Sequence, residues 1–365
     1  MKEYWQKFCS AFTYPKSLNF PRHVNASMGK QSSLNGSRLY CSIQTYKDEV
    51  FFSLVDYRNS RFTSKNPNKI IEFYDSLKNR DDLIQWMKER PKGVANIYEV
   101  DGDKEITVVI PTADFNGKYA KECRENIFKG LHLIYVESGG KEDFYFNIAH
   151  NCNVGIRKAM EYDPKWVVIS NDDMYKIDEI NILLKELSMI DNGKVMSVFT
   201  RPSRYHSFNT CVGKKRFLLT DIAYFSYHLK GKRLRHWRTT SKIAKKNNYA
   251  VERILGPRNR LLGKWFLSEA YFFPMTGPFG ILSSHFCRAK EKVFNETYQN
   301  GVEDWELSIE LSKFEKAIID YRIGDVIGAT LGNDLRRTIR DLANLVYFNE
   351  RVQALLQNNE VSEKS

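Results

Sequence analysis

The stretch Lys165-Trp166-Val167-Val168-Ile169-Ser170-Asn171-Asp172-Asp173 decides the fold class. Its apolar run lacks polar alternation, the pattern of a strand buried on both faces, and it ends in a pair of acids. Upstream, Glu105-Ile106-Thr107-Val108-Val109-Ile110-Pro111-Thr112 reads as a second buried strand, stopped by proline. Leu131-His132-Leu133-Ile134-Tyr135-Val136-Glu137-Ser138-Gly139-Gly140 reads as a third, ending in a glycine turn. Strands alternating with helical patterns predict an α/β fold with a mainly parallel sheet flanked by helices. Such sheets bind ligands beyond the carboxyl ends of their strands, where Asp172 and Asp173 stand.

A second acidic cluster, Gly301-Val302-Glu303-Asp304-Trp305-Glu306, precedes another helical pattern. Each cluster also has a plain structural reading. Ser, Asn and Asp after a strand are common helix N-caps, and Ile180, Leu183, Leu184 and Leu187 mark a helix that such a turn would introduce. Acids in a first helical turn favour the macrodipole whether or not they do chemistry.

Two further segments complete an ordered set: Asn153-Val154-Gly155-Ile156, and Thr276-Gly277-Pro278-Phe279-Gly280 ahead of Glu303-Asp304. Over roughly residues 105 to 315 this order resembles the inverting glycosyltransferases of family 2. The resemblance implies the GT-A fold, a Rossmann-like α/β domain. It also implies a hexosyltransferase-type enzyme that moves a sugar from a UDP- or GDP-linked donor to an acceptor hydroxyl. Under it, Pro111, Thr112, Asp114, Glu137, Asn153, Asn171 and Asp172 bind the nucleotide sugar, and Asp172 with Asp173 holds Mg²⁺ or Mn²⁺. Asp304 is then the general base, and Glu303 orients it or holds the acceptor. Two positions depart from the family pattern: Glu137 stands in place of Asp, and Ser170 in place of the first acid of Asp-x-Asp.

The chemistry needs these residue types. A divalent cation stabilises charge developing on a departing nucleoside diphosphate, and Mg²⁺ or Mn²⁺ needs only one or two protein carboxylates beside phosphate and water. A positioned carboxylate that accepts the acceptor's proton contributes about 10²- to 10⁴-fold. Two other function classes compete. A sugar-nucleotide nucleotidyltransferase would carry a glycine-rich phosphate loop that Thr112-Ala113-Asp114-Phe115 does not supply. A non-catalytic basic module would bind nucleic acid or lipid on a degenerate scaffold, and the presence of both Asp172 and Asp304 argues against it.

Charge is the other informative feature. Residues 201–264 hold 17 Lys or Arg against two acids, Asp221 and Glu252, a local balance of +15 in a chain whose total is +12. Aromatic and aliphatic residues interleave, as in Arg216-Phe217-Leu218-Leu219 and Tyr224-Phe225-Ser226-Tyr227. That composition suits an anionic membrane surface or the phosphates of a lipid-linked glycan acceptor, each engaged basic residue contributing roughly 1 kcal/mol. Single-stranded nucleic acid would suit it too. No recognised nucleic-acid signature accompanies it.

With 365 residues, 42% of them hydrophobic, the chain can bury a full core. The six cysteines and seven histidines show neither zinc spacing nor a disulfide framework, which points to a reducing cytoplasm. The amino terminus lacks a secretory signal's apolar core, and Trp265 to Cys287 contains Glu269, Pro274, Gly277, Pro278 and Gly280, which exclude it as an isolated span. A cytoplasmic protein, peripheral on the inner membrane face, is the expectation.

The expected organisation is an N-terminal extension over 1–100, a GT-A domain over 101–320 with its basic insertion at 201–264, and a C-terminal helical segment over 321–365. Residues 10–39 read as a loose lead-in and 49–55 as a strand. A helix is expected over 67–90, broken near Asn79, then a hairpin turning at Asp101-Gly102-Asp103. Ile327 to Leu356 reads as helical, followed by a frayed tail. Its Arg336, Arg337, Arg340 and Arg351 could reach a diphosphate, though surface helices commonly carry such residues.

Overall fold

The computed structural model describes residues 57–138, 144–201, 207–215, 232–249, 267–276, 279–326 and 334–362. The expectations for 10–39, 49–55, Gly139-Gly140 and Gly277-Pro278 lie outside these residues. The strands are β1 (Asn96–Val100), β2 (Asp103–Thr112), β3 (Leu131–Glu137), β4 (Trp166–Ser170), β5 (Met174–Lys176), β6 (Ser197–Thr200), β7 (Ser207–Lys215), β8 (Leu267–Thr276), β9 (Phe279–Ser283), β10 (Lys316–Ile319) and β11 (Ile323–Asp325). Seven of them form one sheet in the order β1-β3-β2-β4-β9-β6-β10. Strands β3, β2, β4, β6 and β10 share one direction, whereas β1 and β9 oppose their neighbours. This mixed, mostly parallel sheet flanked by helices has a Rossmann-like arrangement.

Alternation along the strands divides the core. Ile106, Val108 and Ile110 of β2 face one apolar layer, with Leu183 and Leu187 of helix α5 (Ile180–Ser188) and the helix α3 (Lys118–Glu122) with its π turn. Val109 faces the other, beneath α4 (Ile148–Met160), α7 (Ser284–Arg288) and α8 (Glu303–Leu311). Gly155 permits that second contact: a Cβ there would lie 2.3 Å from Val109 Cγ1 and 3.0 Å from Val136 Cγ2. The Asn-x-Gly step therefore brings helix against sheet.

A third core is helical. α1 (Pro67–Asp75) and α2 (Arg80–Glu89) pack with α6 (Lys232–Lys246) and α9 (Leu335–Ser362) around Phe73, Trp86, Ile243 and Phe348. Asn66 caps α1 ahead of Pro67, and Asn79 caps α2, which makes the expected break. Buried Tyr74 donates to the Ile339 carbonyl at 2.7 Å, tying α1 to α9. Residues on both sides of the sheet domain in sequence thus share one core.

Three expectations change. The hairpin at 101–103 is not formed, because β3 inserts between its arms: β1 pairs with β3 from Asn96↔Glu137 to Val100↔Leu133. Gly102 crosses the start of β3, where a Cβ would lie 2.3 Å from the Leu131 carbonyl carbon. Proline does not stop β2, since pairing to β4 ends at Val109 and the strand continues to Thr112 along β3 alone. The tail helix extends to Ser362 rather than fraying after Leu356. Residues 267–276 and 279–288 fold as β8, β9 and α7, and no helix among the described residues is long and apolar enough to cross a membrane.

Candidate active site

Thr112, Glu137 and Ser170 are the last residues of three adjacent parallel strands, so their side chains and the turns after them meet at one sheet edge. Thr112 and Glu137 are register partners. The Thr112 hydroxyl donates to Asp172 Oδ2 at 2.7 Å, and the Asp114 N–H donates to that hydroxyl at 3.2 Å. Glu137 Oε2 accepts the Phe115 N–H at 2.8 Å, folding the 113–117 turn back over β3. Asp114 is exposed and Asn171 half-buried, while Pro111 is buried within the strand. Ser170 is fully buried and donates to the Asn171 carbonyl at 2.9 Å.

Asp172 and Asp173 are both buried. Burial, reinforced by the charge of Asp173, pushes Asp172 up to about 6 against the opposing Thr112 hydrogen bond. The backbone is locked on both sides: the Cys123 thiol donates to the Asp172 carbonyl at 3.2 Å, and the Val326 N–H to the Asp173 carbonyl at 2.8 Å. The chain then enters β5, paired antiparallel with β11. The N-cap reading therefore falls, because α5 starts only at Ile180, after Glu179, whose side chain makes no cap bond.

Asn153 is corrected as a nucleotide ligand. Its oxygen accepts the Val293 and Phe294 N–H groups, and its amide donates to the Phe294 carbonyl and Glu296 Oε1. All four bonding positions of that buried carboxamide are used to anchor the 293–296 segment.

The second acid pair opens α8. Val302 precedes it at φ 74°, ψ −11°, a left-handed conformation that is a genuine outlier for a β-branched residue. The nearby backbone N–H groups of Glu303 and Gly301 favour the charged form of Glu303, while its Oε2 is buried with no hydrogen-bond partner among the described residues. Burial, with the charge of Asp341 adding, holds Glu303 at about 7. Burial and then the charge of Glu303 hold Asp304 well above the usual carboxylate range. Glu303 also acts on Cys152 near the start of α4, so the pair lies toward the end of α4 that follows β3.

Two residues of α9 that motif reading did not place here complete this pair's surroundings. Asp341, raised to about 6 by burial, has Oδ1 3.2 Å from where a Cβ on Gly301 would stand. Arg337 Nε is 4.0 Å from Asp341 Oδ2, and its charge opposes the upward shifts of Glu303 and Asp304. Their i,i+4 spacing is visible in sequence, but the apposition of Asp341 to Gly301 is not. The other arginines are structural: Arg336 pairs with Asp334, Arg340 donates to the Phe62, Thr63 and Ser64 carbonyls, and Arg351 pairs with Glu306. Glu306, in the same first turn as the acid pair, also accepts the Tyr298 hydroxyl at 2.6 Å. It fastens α8 to α9.

Among the described residues no group of three or more His, Cys, Asp or Glu could hold a metal. The Asp172–Asp173 pair still fits Mg²⁺ or Mn²⁺ chemically: both are hard oxygen donors, and a nearby cation would offset the burial that now favours the protonated form of Asp172. Compared with known proteins, the chain matches no family model and no curated sequence.

Proposed function

We propose that this chain is an inverting glycosyltransferase of the GT-A type, taking a nucleotide-diphosphate sugar as donor. The observation that carries this reading is the meeting of Thr112, Glu137 and Asp172 at the carboxyl ends of three neighbouring parallel strands. Glu137 shapes the 113–117 turn that faces a nucleotide base, with Asp114 exposed on it, and Thr112 orients Asp172. Asp172 and Asp173 would hold a divalent cation, which when bound neutralises charge on the leaving diphosphate. Asp304 accepts the acceptor's proton as its oxygen attacks the anomeric carbon, and Glu303 positions Asp304. Burial and the charge of Glu303 raise the proton affinity of Asp304, which favours its accepting a proton.

The acceptor is a glycan or lipid-linked glycan at an anionic membrane surface. α6 supports this assignment: it buries Thr240, Ile243 and the nearby Tyr249 and turns Arg238, Lys242 and Lys245 outward at helical spacing. The deciding experiment is isothermal titration with UDP, GDP and their sugar conjugates, each with and without Mn²⁺. Metal-enhanced binding of one nucleotide supports the donor site and names its base. Binding of none removes the enzyme reading.

A further inference from the structure

A cavity of about 440 Å³, lined by no residue of either acid pair, opens between the end of α2, the 290–297 segment, α8 and α9. Lys88, Lys92, Lys290, Lys292 and Arg351 line it. Three of these cations are matched by carboxylates on the same wall: Lys290 by Glu310, Lys292 by Glu296 at 2.9 Å, and Arg351 by Glu306 at 2.8 Å. Lys88 and Lys92 have no ion pair among the described residues, and Lys92 Nζ donates to the Glu296 carbonyl at 2.8 Å.

We infer that this cavity is a binding site for a small, soluble phosphate-bearing anion, in which Lys88 and Lys92 supply the positive charges of its lining that have no ion pair among the described residues. The inference goes beyond the proposed activity and does not depend on it. Two ammonium groups match a phosphate dianion in charge, and each can turn its donors toward different oxygens. The wall's carboxylates are not free to compete. Glu306 is held by Arg351, Tyr298 and Asn295, and Glu296 by Lys292, Asn153 and His150. Lys92 is half-buried, and its neighbours sharpen the effect: burial first, then Arg90 and Lys292, lower it to about 8, while Glu296 pulls the other way. A bound anion restores the charged form. Binding therefore takes up a proton when Lys92 is partly neutral, and weakens as pH rises above 8.

Sulfate tests this well, because it is a dianion with no proton of its own to exchange near neutrality. Calorimetry at pH 8 and low ionic strength, in two buffers of different ionisation enthalpy, should give saturable one-site binding with uptake of about half a proton. At pH 6.5 the uptake should be close to zero. Lys88→Gln with Lys92→Gln should weaken binding by about tenfold or more and remove the uptake. Asp172→Asn should change neither, which separates this cavity from the donor edge whether or not the chain is a transferase. Absence of saturable binding overturns the inference, as does equal binding by the double variant or loss of binding in Asp172→Asn.

Discussion

Asp172 and Glu303 are both carboxylates that burial keeps near neutrality in their titration, yet the chain holds them differently. Asp172 follows a strand in the sheet, one oxygen fixed by the Thr112 hydroxyl and its peptide fixed by Cys123. Glu303 begins a helix after a strained residue, keeps one oxygen without a partner among the described residues, and faces a second acid, Asp341, from a distant helix. A fixed oxygen beside another acid suits holding a cation. Burial that raises the proton affinity of both acids of the second pair suits the part proposed for Asp304, with Glu303 positioning it. The contrast arises because a parallel sheet fixes its strand ends through ladder bonds, whereas α8 is positioned by packing against α9 and can carry strain at its entry.

The largest expected effect breaks the second region alone. Asp304→Asn should lower transfer by about 10²- to 10⁴-fold while metal-dependent nucleotide binding persists. Measured by turnover and calorimetry, an unchanged rate would remove Asp304 from the mechanism.

Glu306→Gln asks whether acids of one helical turn have separate jobs. It leaves Arg351 without its carboxylate and Tyr298 without its charged acceptor, and should destabilise the fold by about 2–3 kcal/mol in urea titration. A loss of activity without a loss of stability would move Glu306 into the site.

The third test is pH. The Glu303 carboxyl is raised from 4.5 to about 7 and that of Asp341 from 3.8 to about 6, so the folded state binds these protons more tightly than the unfolded one. Stability should therefore fall as pH rises from about 4 to 7 and level off above it, by on the order of 1–3 kcal/mol, and Glu303→Gln should flatten the slope. A slope unchanged in that variant would show that the burial cost lies elsewhere.

The smallest effect sharpens the role of strain. Val302→Gly removes the left-handed penalty but also loses apolar packing and frees the unfolded chain, so a net gain of about 0.5–1 kcal/mol is expected. Destabilisation would show that the packing of Val302 outweighs its backbone cost.

Three of the sheet's seven strands were legible because buried strands announce themselves: 105–112, 131–137 and 165–169 carry largely apolar runs. The split of α1 from α2 was legible because asparagine caps are local chemistry. The false hairpin at 101–103 had correct local signals too, but strand partnership is not local. β3 wins the place between β1 and β2 because it can offer apolar residues to both layers of the core.

The site divides the same way. That Thr112, Glu137 and Asp172 stand together was readable because strand ends collect at one edge of a parallel sheet. Asn153 was misread because the Asn-x-Gly spacing does not show that the helix opens earlier, at Asn147, or that the Asn153 amide meets the 293–296 backbone. By itself the sequence determined the alternating α/β layers, the acids at the strand ends and the basic character of 201–264, since periodicity, capping and charge act over a few residues. Only the tertiary structure decided that the terminal helices share one core, that Arg337 and Asp341 stand at the Glu303–Asp304 pair, and that Lys88 and Lys92 face an unmatched cavity. Burial and electrostatics depend on which distant residues pack together, and spacing along the chain does not encode that distance.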